Sequence, residues 1–167
     1  MRGAALGLAA GALVLTGCSA VSGDEKPLPE VTVLEFGTDQ PVDVSSLRGP
    51  MVVNLWASYC GPCRQEMPIL QDFHERHGDE VEVVGVDYQD PQTGQARKLA
   101  DETGVTYRLL SDLGGDLNSA DPLPNIMGLP FLMLVDDDGN VAYMEYGEVT
   151  SVGQLEDLVS KHLGVDL

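Results

Sequence analysis

Residues 51–68 read MVVNLWASYCGPCRQEMP, from Met51 to Pro68. Met51 to Ala57 is an apolar run of strand length rather than helix length, the pattern of a strand buried on both faces. It runs directly into Cys60-Gly61-Pro62-Cys63. From Cys63 to about His77 the spacing predicts a helix, with Met67, Leu70 and Phe73 three residues apart, Pro68 as an internal kink and Gly78 as the stop. A Cys at the start of a helix faces unpaired backbone N–H groups and the positive end of the dipole, which lowers its pKa toward the thiolate that disulfide exchange needs. Cys60 takes that place. Cys63 lies one turn further on, within reach to resolve a mixed disulfide, and Pro62 fits a first turn where its missing N–H costs nothing.

The rest of the chain arranges itself around this unit. Val31 to Phe36 alternates like a strand, and the turn residues Gly37 to Gln40 lead to a second short strand around Val42 to Val44, an N-terminal hairpin. After the central helix, Val81 to Tyr88 reads as another buried strand and Gln92 to Thr103 as a second helix ending at Gly104. Strand, helix, strand, helix implies a parallel pair with a right-handed crossover. Leu109 to Met127, rich in Gly, Asp, Asn and Pro, reads as irregular loop with at most a short turn of structure. Phe131 to Val135 and Val141 to Tyr146 flank the turn residues Asp136 to Asn140 as an antiparallel hairpin, and Ser151 to Leu163 closes the chain as an amphipathic helix. The expected class is α/β, a mixed central sheet flanked by helices with an N-terminal hairpin added.

The 167 residues suit one domain, and 43% hydrophobic with 22% charged residues is ordinary for a globular protein. Nine Lys and Arg stand against 27 Asp and Glu, a net charge of -18. That excess disfavours nucleic acid as a partner, because phosphate contacts need a basic surface. Met1 and Arg2 precede an apolar stretch from Ala4 to Leu15, too short to span a bilayer, so residues 1–17 are expected to be a cleaved signal peptide. Leu15-Thr16-Gly17-Cys18 resembles the lipobox of bacterial lipoproteins, which implies lipid on Cys18, anchorage to the cell membrane and an extracytoplasmic location. Residues 18–29 read as a flexible tether and 30–167 as the domain. With Cys18 assigned to lipid, the other two of the three cysteines form the Cys-x-x-Cys unit and none is left over.

Other uses of that unit fit less well. Structural zinc wants four ligands, and His74, His77 and His162 supply no second pair. Haem attachment needs His where Arg64 stands, and the thiol peroxidases of related fold carry Thr where this chain has Ala57. The segment Trp56 to Pro68 strongly resembles the TlpA-like and DsbE-like branch of the thioredoxin superfamily, and the element order extends the resemblance over Pro29 to Leu163. It implies a thioredoxin fold with Cys60 as exposed nucleophile and Cys63 as buried resolving thiol. It further implies that Glu66 handles the proton of Cys63, since Asn54 stands where cytoplasmic thioredoxins carry a buried Asp. Pro130 matches the cis-proline facing the disulfide, leaving the Leu129 backbone free to pair with substrate. Tyr59, Gly61 and Pro62 complete the expected substrate surface. Tyr59 replaces the usual Trp and Phe131 the usual Thr, which bears on partner choice. Trp56 is expected beneath the site or as a core aromatic.

The expected function is thiol-disulfide exchange on exported proteins with no cofactor beyond the Cys60–Cys63 disulfide and no metal. The Gly-Pro dipeptide is that of thioredoxin, a reducing protein, which together with Glu66 favours a reductase of exported thiols such as cytochrome c precursors, fed by a membrane electron-transfer partner; a monomer is expected. A disulfide-forming oxidase is the alternative. A non-catalytic lipoprotein that binds a partner or metal by the same face is the alternative of another kind.

Overall fold

The computed structural model describes residues 26–167, so the expected signal peptide and Cys18 lie outside the described residues. Seven strands form one sheet: β1 (Thr32–Glu35), β2 (Pro41–Asp43), β3 (Met51–Trp56), β4 (Glu82–Tyr88), β5 (Arg108–Asp112), β6 (Phe131–Val135) and β7 (Val141–Tyr146). Their spatial order is β2-β1-β5-β4-β3-β6-β7. β3, β4 and β5 run parallel, whereas both edges are antiparallel, β1–β2 on one side and β6–β7 on the other. β3 is central and all six of its residues are buried, as its apolar run, interrupted only by Asn54, predicted.

Three helices, α1 (Gly61–His77), α2 (Thr93–Thr103) and α3 (Val152–Leu163), complete the fold. On one sheet face Val52, Val83, Leu132 and Leu134 meet Leu70 and Phe73 of α1 and Leu155 and Val159 of α3. On the other, Val53, Leu55, Val84, Val86 and Met133 meet Leu117, Leu123 and Ile126 from the long loop before β6. Each fully buried Leu, Val or Phe contributes about 1.5–3 kcal/mol, so this double-sided core holds the central strands rigidly beneath whatever their ends carry. α1 carries Arg76 in its last turn, a cation that suits the negative end of its dipole. Gly104 closes α2 with φ at 65°, a left-handed conformation that favours glycine.

Two expectations need correction. Leu109 to Asp112 is not loop but belongs to β5, which pairs with β4 from Val84–Arg108 to Tyr88–Asp112 and with β1 through Leu34–Ser111 and Glu35–Leu110. Buried Ser111 and Asp112 disguise it, because they are loop formers by composition. The Asp112 carboxylate instead accepts the Asp116 and Leu117 N–H groups at 2.8 and 3.0 Å, turning the chain out of the strand. The irregular stretch therefore begins at Leu113. Likewise, the last residues assigned to the tether belong to the domain. Pro27 bridges Asn140, the Leu28 N–H donates to Gly139 O at 2.9 Å, and the Leu28 side chain is only 4% exposed in the core.

Candidate active site

β3 delivers the chain to the edge of the sheet, where Cys60 caps α1. Its backbone is extended (φ −81°, ψ 110°), and its sulfur accepts a hydrogen bond from the Cys63 N–H at 3.2 Å. The helix thus starts at Gly61, two residues before the sequence suggested, because Cys60 itself is the cap and Pro62 sits in the first turn. Cys60 and Cys63 are joined as a disulfide with their Cα atoms 5.3 Å apart. The expected asymmetry is present but smaller than an exposed nucleophile implies: Cys60 shows 7% of its surface and Cys63 none. Trp56, fully buried, packs with Ala57, Met67, Ala96 and Leu99 around the two cysteines and meets the Phe36 ring at 5.9 Å.

Glu66, one turn beyond Cys63, is fully buried. Its Oε2 accepts from Asn54 Nδ2 and its Oε1 from the Val149 N–H, each at 2.8 Å. Desolvation pushes its pKa from 4.5 up to about 7, against the pull of the Val149 and Asn54 hydrogen bonds and with a further push from Glu148 and Glu145. A carboxyl poised near neutrality can take up or give up a proton under physiological conditions, as an ordinary surface Glu cannot. Asn54, which the sequence singled out only as a missing Asp, is the side chain that orients it.

The Leu129–Pro130 bond is cis. Leu129 is partly buried against the core on both sides of the site. In front of the disulfide lies a groove of about 310 Å³ lined by Tyr59, Cys60, Pro62, Tyr88, Met127 and Leu129. Tyr59 and Met127 stand out of it, 57% and 83% exposed. Gly61 is open, with nothing within 4 Å of where a Cβ would lie. Phe131 turns inward and packs on Tyr146, ring centroids 4.9 Å apart. Of the residues named from the sequence, Tyr59, Cys60, Pro62 and Leu129 line this one groove, while Cys63 and Glu66 lie buried behind it.

Sequence reasoning missed Met127, Tyr88 and two buried acids at the end of β4. Asp87 is 1% exposed, its Oδ1 has no partner, and desolvation, then Asp90, raises its pKa from 3.8 to about 7. Acidic residues closing an apolar strand, as in Val86-Asp87-Tyr88-Gln89-Asp90, were the available signal. Among the described residues, no three His, Cys, Asp or Glu side chains gather as a metal would require, and no helix is long and apolar enough to cross a membrane.

A disulfide across the first turn of a helix, packed with Leu129 of a cis Leu129–Pro130 bond on a thioredoxin-type sheet, is the arrangement of the thiol-disulfide oxidoreductases. The chain belongs to the Redoxin family, which it matches over residues 23–159. It is similar to the thioredoxin-like protein YneN of Bacillus subtilis, 31% identical over 60% of this chain and 58% of that protein. It is also similar to the thiol:disulfide interchange protein HelX of Rhodobacter capsulatus, 30% identical over 83% of this chain and 73% of that one. So the chain spans little more than half of the first relative. In structure it superposes on a DsbF homologue from Corynebacterium diphtheriae with a TM-score of 0.66 and 23% identity, over 90% of this chain and 99% of that one.

Proposed function

We propose that this protein is an extracytoplasmic reductase of protein disulfides, acting through Cys60 and Cys63 and held to the membrane by lipid on Cys18. The observation that carries the reading is the Cys63 N–H aimed at the Cys60 sulfur from the first turn of α1. It favours the thiolate at Cys60, and among the described residues no comparable donor reaches the Cys63 sulfur. In the reduced protein the Cys60 thiolate attacks one sulfur of a substrate disulfide. A bond forms from Cys60 to that sulfur, the substrate S–S bond breaks, and the other substrate sulfur leaves as a thiolate that takes a proton from water. Cys63 then gives its proton to ionised Glu66 and attacks the Cys60 sulfur. The Cys60–Cys63 disulfide forms, the mixed disulfide breaks, and the second substrate thiol is released. Two electrons have passed from the protein to the substrate, and a membrane-borne dithiol partner must restore them.

Glu66 suits its part because its pKa of about 7 leaves it partly ionised at neutral pH. The groove between Tyr59 and Met127 receives the chain beside the substrate cysteine, with the Leu129 backbone as its pairing edge. Exported apocytochromes, which present paired cysteines that must be reduced before haem attaches, are the substrate class favoured here. The HelX likeness supports thiol-disulfide interchange, while the cytochrome assignment rests on the resemblance of the active-site segment. Trapping tests the reading: Cys63→Ala cannot resolve a mixed disulfide, so it is expected to accumulate a covalent adduct on Cys60 with an exported protein, released by dithiothreitol. Absence of any adduct, or an adduct equally abundant in Cys60→Ser with Cys63 intact, would overturn it.

A further inference from the structure

We propose that Asp90 is a positioning residue for Cys60, its buried carboxylate holding the Ser58 peptide so that the turn behind it sets the Cys60 sulfur over the first N–H groups of α1. The proposal rests on the reading of Cys60 as the attacking thiolate and adds the part that keeps it in place.

The contacts form a clamp. Asp90 is 1% exposed and lies two residues past the end of β4. Its Oδ2 accepts the Ser58 N–H at 2.6 Å and its Oδ1 accepts the Gln92 N–H at 2.8 Å. On the opposite side of the same residue, Arg64 Nε from α1 donates to Ser58 O at 3.2 Å. Ser58 is thus gripped from the β4–α2 connection and from α1, two residues before the nucleophile. The Cys60 N–H closes onto Ala57 O at 3.0 Å, and the Cys63 N–H then meets the Cys60 sulfur at 3.2 Å. Ser58 is 3% exposed, so water does not compete for its N–H. A charge-assisted bond to a backbone donor in such a site is roughly twice as strong as a neutral one.

A simpler role would have the opposite sign. The titratable and charged groups around the turn and Cys60 are Asp90 with Asp87 beside it from the β4 side, Arg64 from α1, and Tyr59 and Tyr88 along the groove, with Glu66 a turn beyond Cys63 held to Asn54 and Val149; Asp90 and Asp87 have no ion-pair partner among the described residues. Acting only as a nearby negative charge, Asp90 would disfavour the Cys60 thiolate, and removing it would make the thiolate form more easily. Acting as a strut, it supports the thiolate, because loosening the turn takes the sulfur away from the helix N–H groups.

The test is the pH dependence of Cys60 alkylation by iodoacetamide in fully reduced full-length protein, with the labelled cysteine located by peptide mass. Asp90→Ala removes both the acceptor and the charge, whereas Asp90→Glu keeps the charge and displaces the acceptor by one methylene. Both are expected to move the alkylation midpoint to higher pH, cutting the thiolate fraction below the midpoint by about tenfold. A folded Asp90→Ala protein with an unchanged or lower midpoint would overturn the proposal. Should that variant fail to fold, Asp90→Glu decides alone: a raised midpoint supports the strut, and a wild-type or lowered midpoint refutes it. Alkylation needs no substrate, so a wild-type protein without turnover would sink the proposed function while leaving this result readable.

Discussion

Replacing Glu66 with glutamine removes one buried titrating group while keeping the shape of the side chain. Glu66 is wholly buried, and its pKa is raised from 4.5 to about 7, chiefly by desolvation. The folded protein therefore binds that proton more tightly than the unfolded chain does. The resulting stabilisation is complete below pH 4.5 and is lost as the pH climbs through about 7. At 1.36 kcal/mol per unit, the gap amounts to about 3 kcal/mol of stability lost between those limits. The glutamine side chain of the Glu66→Gln variant cannot ionise, still offers an oxygen to the Val149 N–H, and presents an amide toward Asn54, whose Oδ1 has no partner. Urea unfolding of the oxidised wild type and Glu66→Gln, followed by circular dichroism from about pH 4.5 to 8, reads the difference. Every other group is common to both proteins and cancels. The wild type is expected to lose about 3 kcal/mol more than the variant over that range, about 1.5 M in urea midpoint for an m-value near 2 kcal/mol/M. Parallel profiles would mean that Glu66 ionises as a solvated carboxyl does, and the proton-handling argument would fail with it.

Packing gives the remaining predictions. Leu28→Ala is expected to cost about 2–5 kcal/mol, as for a core leucine and not for a tether residue, because Leu28 is 4% exposed within the core; a loss under about 0.5 kcal/mol would return residues 26–29 to the tether. Phe73→Ala, at a fully buried position on α1, is expected to cost about 3–5 kcal/mol by thermal or urea unfolding with both cysteines still able to form their disulfide.

The central strand, the helix after it and the cysteine pair were legible because each signal is local: a largely apolar run, a helix period and a spacing of three. Both hairpins were legible for the same reason, each carrying its turn residues between two β-rich runs. β5 was not, because its burial is decided by neighbours distant in sequence. Ser111 and Asp112 are polar, and only the pairing of β5 between β1 and β4 makes them strand. The end of the tether failed similarly: Leu28 is one apolar residue among prolines and charges, and its partner is the Gly139 carbonyl over a hundred residues away. At the site, Glu66 was named through the resemblance of its segment, but the Val149 N–H that meets its buried carboxylate is a backbone group that no side-chain pattern announces. Asp90 was silent because its target is also a backbone group, the Ser58 N–H across the sheet edge.

The central claim is that Cys60 and Cys63 exchange reversibly between dithiol and disulfide in the folded protein. Equilibrating the protein with graded dithiothreitol buffers and counting the Cys60 and Cys63 thiols by alkylation and mass measurement tests it. The expected result is one two-electron transition in which both labels appear together, near the thioredoxin value of about -270 mV, with native circular dichroism throughout. A midpoint above about -150 mV would reverse the direction of electron flow assigned here. Two thiols that titrate independently, or a bond that does not re-form on oxidation, would contradict the account at its root.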